Sequence, residues 1–529
     1  MQGRGRSIGL FLAVMALSIA LQWEGGAYRV ALGEHGDEPA HFVTGLMVRD
    51  WVAAGFPRPA IRYAEDYYLH YPRVAFGHWP PMFYIFQAAW ELVFPPSGAG
   101  VLLLIAVLTA VFCLRTAHAV ERYAAGWAGP PAALLLLAMP PVIIYSRMIM
   151  AEVLLSWLCL EAVLAFAEWM DAPGWRAAGL FAFWATAACL TKVTAVWLAP
   201  MVALAILFSG RWKLLAEKSL WCAGLTVAIL TLPWYFLAPG ALHQASPDDT
   251  GIAITAGKPV SLMRLPHRLK EAAELFGIVI KWMGPILLAA FYGMWSFWRR
   301  GRAIGSAAAA SLAGMMLMRF SVLATGFEDR TVMPLVAPLL VCAAGAIPLM
   351  TRFPVASVAA LAAFASANLL TTLPKQDVPV ESAVVASMRP EYKDAVLMVA
   401  SDAFHEGAFI AAIATGESPR PGHTVLRASK ILARATWNAN RYTLLTRDTV
   451  ESMALIERIP VGLLVMESDP RRWKRPHMKL LARTIAAHRD RFKLIASGQL
   501  LVFEVAGYRD RPRQPVPMFM YGLGRSIGE

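Results

Sequence analysis

Charge is scarce in this sequence: Asp, Glu, Lys and Arg make up 16% of its 529 residues, against 57% hydrophobic ones. Soluble globular chains carry roughly a quarter of their residues charged, so an ordinary water-soluble globule is excluded. Cysteine is scarcer still. The five (Cys113, Cys159, Cys189, Cys222 and Cys342) all lie in hydrophobic segments, which leaves no disulfide framework and no Cys-based zinc site in the more polar C-terminal part. A phosphate-cradling P-loop, a G-x-G-x-x-G after a strand and an H-E-x-x-H are all missing. No internal repeat is visible, and long apolar runs stop after residue 371.

What the chain has in quantity is helix-length apolar sequence, with a mean hydropathy of +0.50. Candidate spans fall at 7–23, 100–120, 128–146, 150–169, 177–190, 193–208, 219–237, 278–298, 303–322, 331–349 and 354–371. The first resembles a signal peptide, but Ala20-Leu21-Gln22-Trp23 is too bulky for a cleavage site, so it reads as an uncleaved span with a cytoplasmic N-terminus. A twelfth apolar stretch, 79–95, begins His78-Trp79-Pro80-Pro81 and carries Gln87 and Glu91. If it lies along the surface, Arg115/Arg122, Arg211/Lys213/Lys218 and Arg299/Arg300/Arg302 all fall in cytoplasmic loops; if it crosses, all fall outside. The positive-inside rule favours the non-crossing helix, which gives about eleven spans and puts the C-terminal part on the outer face. The net charge of +13 is then accounted for by these loops and an arginine-rich tail, with no nucleic-acid partner required.

The expected fold class is a multi-pass α-helical membrane protein with a C-terminal soluble α/β domain. Three divisions follow: a transmembrane module at 1–372, containing a long first outer loop at 24–99 with membrane-surface helices; an outer-face α/β domain at 373–510; and a loose tail at 511–529. Within the second, Ala395–Ala400, Val461–Met466, Lys493–Ala496 and Leu500–Val505 read as strands. Ser401-Asp402 caps a helix at Ala403–Ala414, and another helix lies near Arg472–His488. The domain's outer position suits it to selecting the acceptor.

This topology brings several ionisable residues to one outer boundary, where unpaired charge is costly and a functional role is the default. Asp37 and Glu38 open an amphipathic helix running to about Gly55, with Phe42, Leu46, Val48 and Trp51 on the bilayer surface and Arg49 and Asp50 kept wet. A carboxylate there suits removal of a proton from an acceptor, while Lys192, Arg330 and His78 suit a departing phosphate. Each has a plainer alternative. Asp37 and Glu38 can simply decorate a helix start, Lys192 can snorkel, Arg330 can pair with Glu328 or Asp329, Glu152 can cap a helix, and His78 can serve a turn. Tyr67-Tyr68 suits an interfacial aromatic belt better than a sugar platform, and core packing suits Trp437 and Tyr442 better than sugar stacking. Asp248-Asp249 is only loosely like a metal-binding acidic pair.

Five ordered motifs carry a resemblance. Asp37-Glu38-x-x-His41-Phe42 and His78-Trp79-Pro80-Pro81-Met82-Phe83-Tyr84 resemble the D-E-x-x-(H/Y)-F and H-P-P-L-(Y/F) pair of protein O-mannosyltransferases and lipid A aminoarabinose transferases, which are GT-C integral-membrane glycosyltransferases. Ser146-Arg147 followed by Glu152, Leu190-Thr191-Lys192, and Glu328-Asp329-Arg330-Thr331 followed by Pro334 and Pro338 are similar to three later motifs of that group. Trp79, Glu152 and Thr331 depart from the usual residues, and the tail does not resemble the sugar-binding trefoil of the eukaryotic members, so a bacterial relative is the better match.

The resemblance implies inverting transfer from a polyprenyl-monophosphate sugar to a lipid, glycan or protein acceptor on the outer face of a bacterial cytoplasmic membrane. Asp37 would be the base, Glu38 its support and Glu152 a second acid; Lys192, His78, Arg330 and Arg147 would bind the donor phosphate; His41, Tyr67, Glu328 and Asp329 would serve the acceptor or stand in accessory roles. No cofactor is expected, a divalent cation being the one candidate, and no residue is assigned as a metal ligand. Two other classes stay open: a polysaccharide ligase or polymerase using a diphosphate-linked donor, and a lipid or sugar transporter, against which stands the absence of an inverted repeat.

Overall fold

The computed structural model describes residues 2–30, 32–75, 77–237, 265–321, 328–352, 354–372, 378–434, 442–512, 518–520 and 525–527. Asp248-Asp249 and Trp437 lie outside these. The chain divides into two units. One comprises residues 1–25, 79–83 and 102–374; the other comprises 26–78, 84–101 and 375–529. Most of the segment between the first two membrane-length helices thus groups with the C-terminal residues.

The first unit is helical. Among the described residues, six helices are long and apolar enough to cross a membrane: Gly5–Glu24, Gly98–Tyr123, Glu152–Asp171, Lys218–Phe236, Asp329–Met350 and Pro354–Thr372. They make this a membrane protein. Among the same residues a seventh crossing would be a broken one, because the expected span 278–298 is interrupted at Gly284. That residue has φ +47°, and helices Ala272–Met283 and Pro285–Arg299 meet there at 103°. The expected span 128–146 is likewise split, into Gly129–Leu137 and Pro140–Tyr145, because the paired prolines Pro140 and Pro141 suit a helix start and not a helix interior. Val193–Ser209 and Ala303–Met318 are shorter apolar helices. Met82–Val93, inside the ambiguous stretch, has 12 residues. At 1.5 Å per residue that is about 18 Å, well short of a ~30 Å hydrocarbon core.

The second unit is built on a five-stranded mixed sheet with the order Thr424–Arg427, Val396–Ala400, Val461–Glu467, Leu500–Val505, Phe492–Ala496. The first three strands run parallel, and the last two are antiparallel to their neighbours. Every residue of the central Val461–Glu467 strand is buried, as a continuous apolar run covered on both faces requires. Asp402 caps helix Ala403–Gly416, and Asp448 caps helix Thr449–Arg458. The strand at 424–427 and the helix at 449–458 extend what the sequence suggested. The stretch 511–529, expected to be loose, carries a short antiparallel ladder pairing Met518–Met520 with Arg525–Ile527.

Helix Glu38–Ala53 corrects another expectation. Phe42 and Leu46 were to rest on lipid, yet both are 0% exposed, and Asp50, expected wet, is 8% exposed. The helix lies against Ala403–Gly416 within the same unit. Gly407 permits the approach, since a Cβ there would stand 2.8 Å from Pro39 and 3.2 Å from the Arg73 guanidinium. Tyr67 and Tyr68, read as an aromatic belt, are buried too, at 1% and 6% exposure.

Candidate active site

The candidate residues form two groups, one in each unit. In the helical unit, Glu152 is the first residue of helix Glu152–Asp171, where the helix dipole favours a carboxylate. It is 1% exposed and accepts a hydrogen bond from the Lys192 ammonium. Lys192 follows the end of helix Trp175–Cys189 in extended conformation, which turns its side chain off the helix axis. Arg330, in the turn Asp329–Val332 before helix Met333–Ala343, places Nε 3.5 Å from the same Glu152 oxygen and pairs with Glu328. Three separate chain segments thus bring two cations and one buried carboxylate together, with half-exposed Glu328 closing the set. Arg330 does pair with Glu328, but Glu152 does not cap its helix: Ala151 holds the cap position and no side-chain cap bond is made. Neither plain reading included the joining of Glu152 to Lys192 and Arg330.

Two sequence candidates stand apart from this cluster. Asp329 faces Lys281, 3.4 Å away and exposed. Arg147 is 1% exposed and donates to the carbonyl of Gly25 at the end of the first helix. A Cβ on Gly25 would overlap the guanidinium, so the glycine is what admits Arg147. Beside it, Gln22 donates to the carbonyls of Ser146 (2.8 Å) and Leu102 (2.9 Å). This corner ties the first helix to its neighbours.

In the second unit, Asp37 occupies the cap position of helix Glu38–Ala53 without using its side chain as a cap. Its amide donates to His35 Nδ1 at 3.1 Å, and its carboxylate lies 3.6 Å from that nitrogen with 16% exposure. Glu38, 2% exposed, accepts from the His35 amide at 2.9 Å and so closes the turn that presents Asp37. His41 Nδ1 lies 3.1 Å from the Tyr84 hydroxyl. His78 ends a turn, its amide donating to Ala75, with a half-buried side chain. Tyr67 donates to Asp50 at 2.9 Å, and burial followed by the Asp50 charge holds its hydroxyl well above the usual phenol range. That ties Tyr67 into a structural network rather than leaving it for substrate.

Arg73 is a residue that no sequence motif points to. It is buried and donates to the Ala403 carbonyl at 2.6 Å. Burial, then the charge of Arg427, pulls its pKa down to about 9, while Glu406 and Asp37 act in the opposite direction. Asp37 therefore has a buried cation in its field. Arg73 stands alone among aromatic and small residues, so no spacing rule singles it out.

No family model and no curated protein matches this chain. Solved structures do: the chain shares its fold with structures of GT-C glycosyltransferases. ArnT from Cupriavidus metallidurans in the apo state superimposes with a TM-score of 0.61 over 96% of this chain and 99% of that one, at 14% identity. The same protein bound to undecaprenyl phosphate gives 0.57 over 95% and 98%, also at 14% identity. The apo oligosaccharyltransferase of Archaeoglobus fulgidus gives 0.53 over 87% and 69%, at 11% identity.

Proposed function

We propose that this protein is an inverting glycosyltransferase that moves a sugar from a polyprenyl-monophosphate donor to a lipid, glycan or protein acceptor on the outer face of a bacterial cytoplasmic membrane. The observation that carries the reading is the Glu152–Lys192–Arg330 cluster, two partly exposed cations on one buried carboxylate at helix ends in a GT-C fold. ArnT, which shares that fold, has been solved with undecaprenyl phosphate bound.

In this reading Asp37 takes the proton of the acceptor as the acceptor oxygen or nitrogen attacks the anomeric carbon. The bond from that carbon to the phosphate oxygen breaks, and its electron pair leaves with the phosphate. The phosphate starts as a diester with one negative charge and departs with two, so stabilisation must rise along the reaction. Lys192 and Arg330, each 12% exposed, are partly neutralised at rest by Glu152 and Glu328. Half-exposed Glu328 is the partner a phosphate oxygen can displace from Arg330, leaving Glu152 to keep both cations in place. His78 is a third phosphate-binding group, Glu38 holds the Asp37 turn, and Arg147 secures the first helix. The division of the chain into a transmembrane module and an outer α/β domain belongs to the same proposal.

The test offers purified protein radiolabelled polyprenyl-phosphate sugars with a membrane extract as acceptor source. Wild type should consume one donor, and folded Asp37→Asn should fall by several orders of magnitude. Turnover of the variant at the wild-type rate would sink the assignment of the base. Consumption of a diphosphate-linked donor alone would replace the reading with a ligase or polymerase, and lipid movement without bond cleavage would replace it with a transporter.

A further inference from the structure

A second group of convergent side chains lies in the sheet unit and plays no part in the reaction above. Asp402 follows strand Val396–Ala400, His405 is in the first turn of helix Ala403–Gly416, and Glu467 ends strand Val461–Glu467. These two parallel strands are neighbours. The chain crosses from the first of them to Thr424–Arg427 on one side, then returns to Val461–Glu467 on the other. Asp402 and Glu467 therefore stand at the carboxyl ends of strands flanking the point where the winding reverses, the usual crevice for ligands in open α/β sheets.

One ligand atom from each residue lies within 4.8 Å of the others. His405 Nδ1 is 3.0 Å from Asp402 Oδ1 and 3.9 Å from Glu467 Oε2. A dication with bonds of about 2.0–2.2 Å spaces its donors roughly 3–3.6 Å apart, so only small side-chain rotations separate this arrangement from a coordinated one. His405 and Glu467 are 2% and 0% exposed. Burying a carboxylate so completely calls for positive charge nearby. The Glu467 carboxylate is also held in orientation, by Ser401 Oγ at 3.0 Å on one oxygen and Gln499 Nε2 at 2.8 Å on the other, as carboxylate ligands commonly are. Arg472 supplies a cation from the rim, with NH1 3.6 Å from Asp402 Oδ2 and 3.4 Å from His405 Nε2. Its side chain is 42% exposed, so it has room to swing out when a dication enters.

We propose that Asp402, His405 and Glu467 form a binding site for a transition-metal dication of the Zn2+ or Mn2+ type. One imidazole with two carboxylates suits these ions better than Mg2+ or Ca2+, which favour all-oxygen sets. The metal fixes the start of helix Ala403–Gly416, the helix against which the segment carrying Asp37 packs. The proposal is independent of the transfer reaction.

Full-length protein in detergent, stripped with chelator, is titrated calorimetrically with Zn2+ and with Mn2+, and its thermal unfolding is followed in each. One equivalent should bind and raise the Tm by several degrees. His405→Ala should weaken binding at least 100-fold, and Gln499→Ala about tenfold. If His405→Ala does not fold, Asp402→Asn, at the more exposed ligand, provides the same readout. The proposal is overturned if neither ion binds at about 1 mM, a Kd worth only ~4 kcal/mol. Equal stoichiometry and affinity in the ligand variants, or tighter binding of Mg2+ or Ca2+ than of Zn2+, overturns it equally.

Discussion

Two sets of charged side chains are removed from water in this protein, and they are built differently. In the sheet unit, Arg420 donates to Asp50 through Nε (2.8 Å) and NH2 (3.2 Å), and Tyr67 donates to the same carboxylate. Glu417 accepts from Tyr71, from both amides of Gly422 and His423, and from the His423 ring. Arg427 donates to Glu406 at 2.7 Å, with Arg73 3.7 Å from the same carboxylate. Arg49 also lies 2.7 Å from Asp50, and most lone pairs of these buried carboxylates are occupied. In the helical unit, one enclosed carboxylate serves two cations that each keep some exposure, and the fourth member, Glu328, is half in solvent. The first set is saturated and the second can exchange a partner. Saturation marks structure, and an exchangeable partner marks a place where a ligand can enter.

The sharpest way to break this contrast is Arg420→Ala. It leaves buried Asp50 with Arg49, 2.7 Å away, and Tyr67 but without its bidentate partner, and it should cost about 1.5–3 kcal/mol of stability, read by thermal unfolding in detergent. A loss below about 1 kcal/mol would place the pair among weak surface ion pairs. Lys192→Met should do the reverse. Lys192 gives Glu152 one hydrogen bond, where Arg420 gives two to Asp50 and one to the Glu417 carbonyl, so stability should drop less than in Arg420→Ala, while kcat/KM for transfer should fall by about 10²–10³. Unchanged transfer with a large stability loss would make both clusters structural.

The sheet unit also disfavours charge at a buried histidine. His477 is 1% exposed, and its Nδ1 is 2.7 Å from the Tyr442 hydroxyl. Burial, with Arg427 and Arg475 adding to it against Glu406, pulls its pKa from 6.5 to about 4. A histidine whose folded pKa is depressed contributes stability above its unfolded pKa and loses it as pH falls. Stability should therefore decline between pH 6.5 and pH 4, by at most roughly 3 kcal/mol from this one group. His477→Leu should flatten that part of the stability profile; an unchanged slope would assign it to other groups. The smallest effect expected is for Gly407→Ala, which must push Pro39 or Arg73 aside and should cost about 1–3 kcal/mol by thermal unfolding. A neutral result would mean that helix Glu38–Ala53 seats with slack.

How legible each region was in the sequence follows the range of its interactions. The core strands of the sheet unit and the cap at Asp402 were readable because alternation, apolar runs and capping are local signals. Glu152, Lys192 and Arg330 could be picked out because charge inside apolar sequence is conspicuous, although their pairing could not. The placement of helix Glu38–Ala53 was misread. An apolar stripe has the same spacing whether it meets lipid or another helix, and the partner helix begins some 350 residues later in the chain. The break at Gly284 was missed because composition alone does not distinguish a tolerated glycine in a span from a hinge with positive φ. Asp402, His405 and Glu467 escaped notice because the third member comes from a distant strand.

The lock between Asp50 and Arg420 also has a consequence in time. The two residues are 370 positions apart. At about 5–20 residues per second, the ribosome adds Arg420 roughly 20–70 s after Asp50. For that interval the helix that begins at Glu38 has been made but its counterion has not, and its apolar face has no sheet unit to cover it. Assembly of the proposed catalytic segment thus waits for the last third of the chain. Removing residues 375–529 to test whether they choose the acceptor would also strand Asp37 on an unseated helix. A truncated protein would stop working for reasons of assembly, whatever part the domain plays in choosing its substrate.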